Sequence, residues 1–262
     1  MLGSLHAPII TLALFICVCA SAQEDVEKKA QEISTKLVNI QHNWGLKMST
    51  PGVSLVLKET GRGEMNGQGY VGFHLFETGL PNDHSYKVQS LLINLQAQEL
   101  MDGVTFNQDG MAICAGTAGH CVGDKPNDDI EFRLSALPGE PLRIAVISDE
   151  GDYKAFISDV PFPISASDKG CTVQSIRLLP NNELILVQGD HFPVNADLQM
   201  ISSNEGETLN RPVKSDPDGH FDLAVMTGAK GKDHGTDKMT LSASACSPTL
   251  KVHWGKGTSN QR

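Results

Sequence analysis

The chain has 262 residues, with 31 acidic against 21 basic side chains and a formal net charge of −10. That balance excludes a sequence-independent hold on phosphate backbones or anionic lipid, which needs an excess of Lys and Arg, so nucleic acid is not expected as a partner. Aromatic residues make up only 5% of the chain, too few for a broad stacking platform of the kind that binds sugars.

The amino-terminal run Leu12-Ala13-Leu14-Phe15-Ile16-Cys17-Val18-Cys19 is apolar but too short to cross a bilayer, and Ala20-Ser21-Ala22 fits the small-x-small rule of signal peptidase. Residues 1–22 are therefore expected to be a signal peptide, and the protein to work in a secreted or extracytoplasmic setting, the periplasm or a cell surface. The segment before the apolar run holds no Lys or Arg, a departure from the usual pattern. Ile16 and Val18 precede the two cysteines where a lipid anchor would need a small residue, so no acyl anchor is expected, and no later segment could span a membrane.

Cleavage would leave Cys114, Cys121, Cys171 and Cys246, an even set that implies disulfides in an exported chain. Three pairings connect four cysteines. The favoured one joins Cys114 to Cys121 across a short Gly-rich loop and Cys171 to Cys246 across a terminal domain.

Residues 24–44 place Val26, Ala30, Ile33, Leu37, Ile40 and Trp44 at steps of four and three, with Glu, Lys and Gln between them. This spacing predicts one amphipathic helix within 23–48, packed on its own chain or standing as a stalk. It is also an a/d seam, which would permit self-association through Val26, Ile33, Leu37 and Ile40.

After Thr50-Pro51-Gly52 the rhythm changes to two, first in Val53 to Leu57, Tyr70 to Phe76 and Tyr86 to Leu95, then in Ile130 to Leu134, Leu142 to Ile147 and Tyr153 to Ile157. A polar link at 165–170 separates this stretch from a second one with cleaner alternation. There Phe221, Leu223 and Val225, then Met239, Leu241 and Ala243, then Leu250, Val252 and Trp254 share one face of their strands. Pro180-Asn181-Asn182 and Pro217-Asp218-Gly219 supply the turns. The expected fold is mostly β: two tandem antiparallel Ig-like β-sandwich domains, 49–165 and 170–256, preceded by the helix and followed by a disordered tail, 257–262. An internal echo points to duplication. Leu80-Pro81-Asn82-Asp83 and Asp109-Gly110 in the first stretch correspond to Phe192-Pro193-Val194-Asn195 and Asp218-Gly219 in the second, at separations of similar length.

Gly189-Asp190-His191-Phe192-Pro193, Ser215-Asp216-Pro217-Asp218-Gly219-His220-Phe221 and Gly235-Thr236 resemble an Ig-like repeat of bacterial secreted and surface proteins, of the IPT/TIG kind, over about 171–254. The resemblance implies a spacer, adhesive unit or partner-binding module, and no catalytic residues.

Thr117-Ala118-Gly119-His120-Cys121 resembles the segment around the catalytic His of trypsin-like proteases. That chemistry also needs a Ser in a Gly-Asp-Ser-Gly-like turn and an orienting Asp, and no Gly-x-Ser-Gly follows. Gly228-Ala229-Lys230-Gly231-Lys232-Asp233 has the wrong spacing for a phosphate loop. His42, His74, His84, His191, His220, His234 and His253 form no ligand pair at helical spacing. Two acidic clusters, Asp124, Asp128 and Asp129 and then Asp216, Asp218 and Asp222, could attract calcium, although Asp-Pro-Asp-Gly is equally what a tight turn selects. The expectation is a non-enzymatic binding or structural protein with no cofactor and no metal, acting on a protein or glycan partner. The alternatives are a serine-protease-like hydrolase using His120 and a carbohydrate-binding module.

Overall fold

The structure, a computed structural model, describes residues 49–65, 68–94, 96–114 and 129–258. The expected signal peptide and amphipathic helix lie outside those residues. Within them the chain is mostly β, with sixteen strands in four antiparallel sheets and no α-helix.

The first eight strands are β1 (Ser54–Met65), β2 (Gln68–Thr78), β3 (Tyr86–Leu91), β4 (Ala97–Phe106), β5 (Ala112–Cys114), β6 (Glu131–Ser135), β7 (Leu142–Ser148) and β8 (Lys154–Asp159). They form one sheet in the order β1-β2-β6 and another in the order β5-β4-β3-β7-β8. Leu55, Leu75 and Phe132 from the first sheet and Tyr86, Val104 and Ile144 from the second belong to a single buried cluster, so the sheets face each other, an arrangement compatible with a β-sandwich. The Tyr86 hydroxyl is satisfied by donating to the Pro81 carbonyl at 2.7 Å, and burial pushes its pKa up to about 12.

The remaining strands are β9 (Ile164–Asp168), β10 (Cys171–Arg177), β11 (Leu184–Asp190), β12 (Asp197–Asn204), β13 (Glu207–Lys214), β14 (Phe221–Met226), β15 (His234–Ser242) and β16 (Thr249–Gly255). Their sheets run β14-β11-β10-β9 and β13-β12-β15-β16 and enclose a second core. Of the apolar triplets named from the alternation, Phe221, Leu223 and Val225, Met239 and Leu241, and Leu250, Val252 and Trp254 are buried, while Ala243 is half-buried against the core.

The strand order repeats. Matching β1 to β10, β2 to β11, β3 to β12, β4 to β13, β6 to β14, β7 to β15 and β8 to β16 turns β1-β2-β6 into β10-β11-β14 and β4-β3-β7-β8 into β13-β12-β15-β16. The turn after the fourth matched strand, β4 or β13, repeats as well. The side-chain oxygen of Asn107 accepts the N–H groups of Asp109 and Met111, and that of Asp216 accepts those of Asp218 and His220. Gly110 and Gly219 follow at the same place with φ of 75° each, and the carbonyls of Glu77 and Phe192 occupy the space where a Cβ would go. Each glycine is required twice over, by its left-handed backbone and by a carbonyl pressed against it.

Three expectations need correction. The polar link at 165–170 is largely a strand: β9 pairs with β10 from Cys171↔Asp168 to Ser175↔Ile164, which satisfies a backbone that a free linker would leave to water. β4 and β13 were not foreseen, because each is an edge or near-edge strand whose side chains are largely wet and so lack the apolar rhythm. Thr258, inside the expected tail, is 2% exposed and donates its hydroxyl to the Gly255 carbonyl.

The loop between β6 and β7 joins the halves. The Gly139 carbonyl accepts the Arg177 N–H at 2.7 Å, and the Arg177 guanidinium donates to the Pro138 carbonyl at 3.2 Å and to that of Pro180. Burial lowers the pKa of Arg177, opposed by the charge of Glu140. Ile176, Leu184 and Leu186 form a small buried cluster beside this joint, on the outer side of β10 and β11, with Val160 packed against it.

Candidate functional site

The residues read as chemical candidates from the sequence are scattered. His120, Cys121, Asp124 and Asp128 lie outside the described residues. Cys114 is buried at the end of β5, and its proposed bridge to Cys121 therefore falls outside them too. Asp129 forms an isolated bridge with Ile113. Cys171 and Cys246 are joined by a disulfide with Cα atoms 6.2 Å apart, tying the start of β10 to the turn before β16.

The second acidic cluster divides its work. Asp216 is occupied with its own turn, its Oδ1 accepting two backbone N–H groups at 2.9 Å, and the His220 N–H is the leading cause that holds its pKa below the usual carboxylate range. Asp218 is exposed in that turn. Asp222 turns instead to the outer face of β14. Among the described residues no three His, Cys, Asp or Glu side chains gather as a metal site.

What the fold brings together is a polar strip on the outer face of β10, β11 and β14. Antiparallel register sets Gln174 opposite Gln188 and Gln188 opposite Asp222. The Gln174 amide donates to Gln188 at 2.9 Å, and the Gln188 amide donates to Asp222 Oδ1 at 2.8 Å. His220, which enters β14 from the turn held by Asp216, places Nδ1 2.8 Å from Asp190 Oδ1 and Nε2 3.2 Å from Asp222 Oδ1. The turn fixes the imidazole because the His220 N–H is itself bound to Asp216. Gly189 clears the inner side of the same register, where a Cβ would run into the Phe221 ring.

Burial pulls the pKa of His220 down, but its hydrogen bond to Asp190 and the charges of Asp222 and Asp190 outweigh it and leave the value above 6.5. An imidazole held at both nitrogens by carboxylates is a proton holder and an anchor for polar groups. Among the hydrogen bonds of the described residues, none joins it to a hydroxyl or thiol, the contact that nucleophile activation would use. Sequence reasoning missed this strip. The only signal was the fact that Gln188, His220 and Asp222 fall at non-core positions of their strands, and their neighbourhood depends on register.

A second polar group sits inside. Asp237 is 2% exposed and accepts the Ser202 hydroxyl at 2.7 Å, and burial raises its pKa. Close by in the same sheet the Trp254 indole donates to Asn204 at 3.0 Å, which satisfies a buried ring N–H at the end of the core. These bonds close off one end of the second core and face no solvent.

No protein-family model matches the chain, and no curated protein matches it in sequence.

Proposed function

We propose that the protein is a secreted, non-enzymatic binding or structural protein built from two tandem Ig-like domains of the kind that IPT/TIG-like repeats resemble. The observation that carries the reading is the repeated strand order, with each pair of sheets closed over a core filled by side chains. Such bodies offer sheet faces and loops for contact, and the strip from Gln174 to Asp190 is a polar face of amide, carboxylate and imidazole groups. The disulfide supports a setting outside the cytoplasm. The partner expected on that strip is a polar one, a protein surface or a glycan, because carboxylate, amide and imidazole groups offer both donors and acceptors.

The test has two arms. The purified mature chain, incubated with a fluorophosphonate serine probe, is expected to take no label; label that His120→Ala removes would replace this reading with a hydrolase. On a glycan array, binding that His220→Ala and Asp222→Ala abolish would place the contact on the strip, and binding that neither substitution alters would move it elsewhere.

A further inference from the structure

We propose that the outer face of β15 and β16 binds an acidic polysaccharide, with Lys238 and Lys251 bridging one of its anionic groups. The site lies on the other sheet of the second half from the strip at His220 and does not depend on that strip.

The ladder between β15 and β16 carries the inference. At its outer positions the Thr236 hydroxyl meets His253 Nδ1 at 2.8 Å, and the Thr240 and Thr249 hydroxyls meet at 3.0 Å. Just past the ladder the Ser242 and Ser247 hydroxyls meet at 3.0 Å. Each of these pairs is complementary. The remaining side-chain pair is not, because register sets Lys238 directly opposite Lys251. Both are exposed, and among the described residues neither takes part in an ion pair. Like charges that face each other across two strands, with Cβ atoms about 5 Å apart, destabilise a sheet. An anion seated between the two ammonium groups turns the one repulsive step of this ladder into an attractive one.

The nearby carboxylates are engaged elsewhere. Asp237, beside Lys238 in the chain, is buried and accepts the Ser202 hydroxyl. At the rim, Asp233 pairs with Lys256 at 3.0 Å, and Glu205 accepts the Thr236 N–H at 3.4 Å. The outer positions of β12, β13, β15 and β16 hold Lys214, Lys238 and Lys251 against a single carboxylate, Asp197. Asp197 faces Lys214, about 20 Å along β12 from Ser203, the neighbour of Lys238. This face is therefore positive on a chain whose net charge is −10.

The surroundings of the two lysines select the kind of polyanion. Ser203 and Thr208 continue the lysine row across β12 and β13, and Thr236, Thr240 and Thr249 flank it. Hydroxyls both donate and accept, which complements the hydroxyls of a sugar ring. No outer position of these strands holds an aromatic ring, so nucleic acid bases have nothing to stack on. Ile201, 41% exposed, is the one large apolar side chain among them, too little for a protein hot spot or a membrane surface. Four strands give a flat face about 14 Å wide, on which an extended sugar chain can lie. The acidic remainder of the molecule repels polyanions in general, so retention depends on contacts at this face and weakens with salt.

The experiment passes the purified chain, at low ionic strength, over surfaces carrying dextran sulfate, polygalacturonate, unmodified dextran or a single-stranded oligonucleotide. The expected result is retention on dextran sulfate or polygalacturonate, with none on dextran and less on the oligonucleotide. The tighter of the two acidic polymers tells whether sulfate or carboxylate is the preferred anion. Lys238→Gln with Lys251→Gln should weaken binding by about tenfold or more. Lys58→Gln with Lys169→Gln, which removes the same charge from exposed sites elsewhere, should change it by less than about twofold. Lys238→Arg with Lys251→Arg keeps the charges and should keep the binding, which separates loss of charge from loss of fold. No retention on either acidic polymer would overturn the proposal, as would equal losses from the two glutamine pairs, binding that the first glutamine pair leaves unchanged, or binding lost in the arginine pair too. An oligonucleotide held as tightly as the acidic polysaccharides would overturn it as well.

Discussion

The two halves of the molecule carry one strand order and one turn, yet differ in what they do with their outer faces. In the β13-β12-β15-β16 sheet of the second half the strands alternate: β12 has every second residue buried, and the residues between them are exposed. In the matching sheet of the first half β7 is buried on both sides, as β11 is in the other sheet of the second half. The lesson is that strand order fixes where a face lies, while side chains decide whether that face meets water, a polar ligand or another layer of protein. The halves also differ at the shared turn. Met111 occupies the place that His220 takes, so the first half has no imidazole at this point.

Substitutions can break this comparison in graded steps. Replacing Cys171 and Cys246 by Ser should have the largest effect, because the bridge spans 75 residues. Loop-closure entropy puts the loss at roughly 4 to 5 kcal/mol. It should fall on the second half alone, read as a lower urea midpoint of the Trp254 fluorescence change with the first half unaffected. Next, Phe156→Ala should cost about 3 kcal/mol as a buried aromatic removed from β8 opposite Ala145. Lys251→Ala on the matching wet face should stay within about 0.5 kcal/mol. Similar costs for the two in thermal unfolding would remove the distinction between the faces.

Gly110→Ala and Gly219→Ala sharpen the comparison from the other side, since the same turn should respond equally in both halves. Each forces a Cβ against a carbonyl from a left-handed backbone, at a cost of about 2 kcal/mol apiece. A marked inequality in calorimetry would show that the turns are alike in shape only. The smallest effect belongs to His220. Its raised pKa means that the carboxylates favour the charged ring in the folded state. That stabilisation is fully present below about pH 6.5 and is lost as pH rises through the folded value. The ring is partly exposed, so the term is below about 1 kcal/mol. Asp190→Asn should flatten the stability profile between pH 6 and 8, and an unchanged profile would remove Asp190 from the pair.

Much of the second half was legible residue by residue. The triplets at Phe221, Met239 and Leu250 identified their strands because one face is dry and the other wet, and the turn at Asp216 to Gly219 was read from its own side chains. The favoured pairing of Cys171 with Cys246 is present. The strands at 97–106 and 207–214 were hidden, because an edge strand with wet side chains has no apolar rhythm to reveal it. β9 was taken for a linker because Ser165, Ser167 and Asp168 suit a loop as well as an edge.

By itself the sequence determined the β rhythm after Pro51, the turn chemistry, the apolar stripe at 24–44 and the recurrence of one turn, since each is a local pattern set by side-chain size, polarity and backbone preference. Only the tertiary structure decided that the recurrence extends to strand order, that Gln174, Gln188, Asp222, His220 and Asp190 meet in one strip, and that β7 is dry on both faces. These depend on register between strands far apart in the chain. A shift of one residue would send each of those side chains to the opposite face, and nothing within a single strand records its partner.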